Sequence, residues 1–150
     1  NTKKGFSTGL WFRKTMRILL LHFLSTQNQK HAAILKKIEQ TVGASGNQCT
    51  LCSEKDSINL HMGMFEYIAV IVPASPLFGA KVPEKLPEIL STHGSVSGKK
   101  GCVLVVKSGF SSAKMCRVTM HAMEKEGMVI DYFDIIESAD HASYSAKKIG

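Results

Sequence analysis

Hydrophobic positions in this chain gather into short unbroken runs, separated by segments with a helical period. Arg17–His22 holds the run Ile18–Leu21, Tyr67–Val72 reads Tyr-Ile-Ala-Val-Ile-Val, and Cys102–Lys107 is a third such run. Runs of this length without polar alternation predict strands covered on both faces. Gln48–Ser53 predicts a shorter, weaker strand and Met128–Ile136 a last one. His31–Val42 predicts a helix, with Ile34, Ile38 and Val42 on one stripe and Gly43 as its stop. Pro83 suits the first turn of a second helix reaching about Ser91, with Gly94 beyond it. Ser111 or Ser112 can cap a third, Ala113–Glu126, whose stripe is Met115, Val118, Ala122 and Met123 and whose stop is Gly127. A short helix is expected near Ala142–Ile149, an irregular helical turn over Ser57–Phe65, and loops over Phe23–Gln29, Ala44–Asn47 and Pro73–Lys81.

Strand and helix alternate with short links. That pattern predicts an α/β fold, a parallel sheet covered by helices on both faces. In such sheets ligands bind beyond the carboxyl ends of the strands, where the strand order reverses. The loops after His22, Val72 and Lys107 are therefore the places to look for chemistry.

Composition narrows the field. The chain has 150 residues, 44% apolar and 21% charged, which excludes fibrous, collagen-like and wholly disordered classes. Of its 19 Lys and Arg, Lys3, Lys4, Arg13 and Lys14 fall in the first 15 residues, where none of the 12 acids lies. The expected organisation is a basic extension over residues 1–15, holding Leu10, Trp11 and Phe12, and one domain over 16–150. The formal charge of +7 is thus concentrated at one end. No basic stripe interleaved with aromatics follows, so a nucleic-acid partner is not expected. The run Ile18–Leu21 is too short for a bilayer and is followed by no small-residue cleavage site, so neither a membrane span nor a signal peptide is expected.

Candidate chemistry is sparse. Cys49 and Cys52 have the spacing of a redox or half-metal motif but lack a second pair, and Cys102 and Cys116 sit in or beside apolar runs. Structural thiols in a reduced, cytoplasmic protein are expected. The six His show no metal-ligand spacing, and no Gly-x-Ser-x-Gly elbow exists, so neither a metal nor a hydrolase is expected.

Two loops carry a resemblance. Ala69-Val-Ile-Val-Pro-Ala-Ser-Pro-Leu-Phe-Gly-Ala-Lys-Val-Pro-Glu-Lys-Leu86 is a strand, a loop and a helix opening near a proline, with Ser75, Pro76 and Gly79 in the loop and Phe78 at an aromatic position. Val105-Val-Lys-Ser-Gly-Phe110 is a strand followed by a small-residue loop. Over roughly residues 16–150 the chain resembles the flavodoxin-like family. The resemblance implies a three-layer sandwich with a five-stranded parallel sheet in the order 2-1-3-4-5, binding FMN. It implies that Phe78 stacks on the flavin ring, that Ser75, Pro76, Gly79, Ser108, Gly109 and Phe110 line the ring, and that Ser25, Thr26 and Asn28 hold the phosphate. The family's phosphate loop reads Thr/Ser-x-Thr-Gly-x-Thr. Here Thr26 matches, while Leu24, Gln27 and Gln29 stand where a hydroxyl, the glycine and a second hydroxyl are usual.

The function implied is electron transfer through bound FMN, as a carrier or an FMN-dependent oxidoreductase, with a redox partner protein. The alternative is a degenerate module that binds no FMN and acts in protein interaction or regulation.

Overall fold

A computed structural model describes residues 15–74 and 81–150. The strands are β1 (Arg17–His22), β2 (Gln48–Ser53), β3 (Tyr67–Pro73), β4 (Lys100–Val106) and β5 (Val129–Ile136). The helices are α1 (Gln29–Ala44), α2 (Lys85–Thr92), α3 (Ser112–Lys125) and α4 (Ala139–Ala146). Two short 3-10 segments, Glu54–Asn59 and Met62–Met64, occupy the stretch expected to be an irregular turn. All pairings are parallel and the order is β2-β1-β3-β4-β5, the expected 2-1-3-4-5.

The alternation of side chains along each strand builds two cores. Leu19 and Leu21 of β1, Ile68, Val70 and Val72 of β3, and Val103 and Val105 of β4 pack under α2 and α3, against Leu86, Ile89, Met115 and Met123. Ile18, Leu20, Tyr67, Ala69, Ile71, Cys102 and Leu104 face the other way, under Ile34, Ile38 and Val42 of α1 and Ala142 and Ala146 of α4. Both faces are covered, which is why the central strands are unbroken apolar runs rather than alternating ones. Each buried Leu, Ile or Val contributes roughly 1.5–3 kcal/mol relative to an exposed one.

One boundary differs instructively. Pro83 does not open α2: Leu86 donates its amide to the Pro83 carbonyl at 3.0 Å, a tight turn that precedes the helix. The proline inside the first turn is Pro87, where the missing N–H leaves no helical bond unmade.

Candidate functional site

From β1 the chain crosses to the edge strand β2 and then back past β1 to β3, so the strand order reverses between β1 and β3. The ladder runs past the strand ends there. Phe23 donates its amide to Ile71, Ala74 to Val106 and Lys107 to Ile136, each at 2.9 Å. These bonds fix where the loops leave the sheet.

A cavity of about 510 Å³ opens at this point, lined by Phe23, Asn28, His31, Glu54, Pro73, Ala74, Lys81, Pro83, Ser108 and Met115. That volume lies in the usual range for a small-molecule site. Phe23, Pro73, Ala74, Pro83 and Met115 give it an apolar wall, and four separate segments bring polar groups to it. A neighbouring cavity of about 490 Å³ lies by the ends of β1 and β2, lined by His22, Leu24, Ser25, Thr26, Gln27, Leu51, Ser53, Glu54, Lys55 and Asp56.

The residues expected at a site divide between these cavities. Asn28 and Ser108 line the first; Ser25 and Thr26, both exposed, line the second. Gly109 takes φ +62°, a backbone that a side chain disfavours, and the Phe110 ring that follows it is fully exposed. Ser75, Pro76, Phe78 and Gly79 lie outside the described residues.

The loop after β1 is held from within. Asn28 Oδ1 accepts from the amides of Lys30 at 2.9 Å and His31 at 3.2 Å, capping α1, and the Asn28 carbonyl accepts from Ala32 at 2.9 Å. The Asn28 amide donates to the Ser25 carbonyl at 3.1 Å, closing a turn. Leu24 is buried in the core beneath α1, and its amide donates to His22 Nδ1 at 3.3 Å. Accepting at Nδ1 puts the proton of a neutral His22 on Nε2. Burial lowers the pKa of His22. Burial also lowers that of His31, helped by the Lys30 charge, and His31 Nδ1 is buried without a partner.

Sequence reasoning missed Glu54 and Met115. Glu54 was legible as the residue following β2, whose carboxyl end also borders the switch point. Met115 was read as core; it is buried, yet it also forms the floor of the cavity. Cys49 and Cys52 belong to opposite cores, as positions three apart on a strand must, and all four thiols are free.

Solved flavodoxins superpose on this arrangement. One from the domain Archaea has a TM-score of 0.66 at 13% identity, covering 89% of this chain and 96% of that one. Oxidised Flavodoxin 2 from Bacillus cereus has 0.65 at 14%, covering 87% and 94%.

The fold is flavodoxin-like.

A Fusobacterium nucleatum flavodoxin bound to flavin mononucleotide extends the likeness, with a TM-score of 0.59 at 14% identity over 89% of this chain and 96% of that one. No family model and no curated protein matches the sequence. Among the described residues of this flavodoxin-like domain, no helix is long and apolar enough to cross a membrane, and no group of three or more His, Cys, Asp and Glu is placed to hold a metal ion.

Proposed function

We propose that the chain is a flavin-binding redox domain that carries FMN beyond the carboxyl ends of β1, β3 and β4. The observation supporting this most strongly is Phe110. It stands fully exposed on the loop that also gives Ser108 to the switch-point cavity, one wall of which is apolar. Covering such a ring with a flat apolar partner stabilises by roughly 1.5–3 kcal/mol. The left-handed Gly109 lets that partner approach the backbone closely. Pro73, Ala74 and Met115 exclude water, and Ser108 offers a hydrogen bond to a polar ring edge. In this reading Ser75, Pro76, Phe78 and Gly79 complete the ring site on sequence grounds alone, with Phe78 stacking on one face. Ser25, Thr26 and Asn28 stand nearest to the phosphate end. A bound FMN supplies transfer of one or two electrons. The four free thiols suit a reducing compartment such as the cytoplasm, and the partner in this reading is a redox protein.

A second reading, a module that has given up flavin and works through protein contacts, draws on the buried Leu24 and the Asn28 cap. Titration of the purified chain into FMN separates the two. The flavin reading expects fluorescence quenching, weakened several-fold by Phe78→Ala and by Phe110→Ala. No quenching at about 1 mM, which corresponds to a binding free energy of only about −4 kcal/mol, overturns it in favour of the second.

A further inference from the structure

We infer that this chain holds a flavin by its ring and does not grip the terminal phosphate, so that it binds riboflavin about as tightly as FMN. The inference rests on the flavin reading above and concerns only the first loop and the start of α1.

A helix N-terminus binds phosphate because its first-turn amides lack intrahelical partners. In α1 two of those amides are taken by the cap: Asn28 Oδ1 accepts from Lys30 and His31. Upstream, the amides of Phe23 and Leu24 are taken by Ile71 and His22, and that of Asn28 by Ser25. The side chains point to the same result. Leu24 is buried in the core and offers neither hydroxyl nor amide to a ligand. The hydroxyl residues Ser25 and Thr26 line the β1–β2 cavity, whereas Phe23, Pro73, Ala74 and Ser108 line the one between β1 and β4. Glu54 borders both cavities, beside Lys55 in one and Lys81 in the other, so the charge around the loop does not itself set the preference. A grip made of several charge-assisted bonds favours the phosphorylated ligand by about tenfold or more per bond. With the amides of Asn28, Lys30 and His31 engaged within the chain, Ser25 and Thr26 lining the other cavity, and no hydroxyl at Leu24, Gln27 or Gln29, that preference falls below about tenfold.

The test is calorimetric titration of the full chain with riboflavin and with FMN. Dissociation constants within about tenfold of each other support the inference. FMN binding more than about tenfold tighter overturns it and leaves the flavin reading standing. Binding of neither ligand overturns both. Asn28→Gly keeps an acceptable helix cap while releasing the Lys30 and His31 amides. It is expected to raise FMN affinity several-fold relative to riboflavin. An unchanged ratio in that variant overturns the part assigned to Asn28.

Discussion

The hydroxyl of Tyr67, a fully buried residue of β3, donates to the carboxylate of Asp131, the one residue of β5 that has no register partner on β4. Gly101 pairs with Ile130 and Cys102 with Tyr132, so Asp131 is the extra residue of a β-bulge. The bulge thus gives the Tyr67 hydroxyl an acceptor on the sheet's edge strand. Burial, with Cys102 and Asp131 adding to it, pushes the Tyr67 pKa up, so the hydroxyl stays a donor. Asp131→Ala is expected to destabilise by about 1–3 kcal/mol, because it strands a buried hydroxyl, and Tyr67→Phe by less, because it removes donor and need together. Urea unfolding of both variants checks the order. Equal or reversed losses contradict this account of the bulge.

Gly101, beside the bulge, is expected to be intolerant of any side chain. A Cβ there meets the Ile68 carbonyl oxygen at 2.4 Å and Met128 Cε at 2.8 Å. Met128 can move, but the Ile68 oxygen belongs to a central strand and cannot. Gly101→Ala should cost about 1–3 kcal/mol or more, read as a lowered urea midpoint. A variant as stable as the parent shows that β3 and β4 can separate locally.

Acid should loosen the α4 corner. Burial tends to raise the Asp134 pKa, but bonds from Ser145, the Ile135 amide and Tyr132, with the His141 charge, outweigh it, and the net shift is downward. The folded carboxyl therefore titrates below the unfolded one. Its contribution is present above the unfolded value, about pH 4, and is lost as pH falls through the folded one. His141 Nε2 lies 3.1 Å from Asp134 Oδ2, and Tyr132 also bonds it at 3.0 Å. Asp134→Asn should be less stable at neutral pH and lose less on acidification. Parallel pH profiles for the two proteins would show that Asp134 contributes nothing to the acid response.

Residues 1–15 are expected to be dispensable. Met16 already has its place, its amide donating to Asn47 Oδ1 at 3.1 Å and its carbonyl accepting from Gln48 at 2.9 Å. A chain starting at Met16 should keep its thermal midpoint to within a few degrees, less than about 1 kcal/mol. A larger loss would make Leu10, Trp11 and Phe12 part of the fold.

The sheet was legible because its strands are buried on both faces. Ile18–Leu21 and Tyr67–Val72 have no other stable use in a chain this size, and the order followed from the family resemblance rather than from spacing. The site was less legible, for a physical reason. Ser25 and Thr26 lie close to Asn28 in sequence, yet a turn closed on Ser25 leaves them on another cavity from Asn28. Loop residues carry no periodicity to say which way they face. Glu54 and Lys81 meet at the first cavity from loops far apart in sequence, a relationship only the fold creates.

The central claim, a flavin site beyond the carboxyl ends of β1, β3 and β4, is tested most directly by residue-resolved NMR titration of the full chain with FMN up to about 1 mM, where even an affinity of about −4 kcal/mol registers. The account predicts amide shifts clustered at Phe23, Ala74, Ser108, Gly109 and Phe110, with the opposite ends of the strands, at Arg17 and Lys100, unmoved. No shifts, or shifts centred away from those loops, would contradict it.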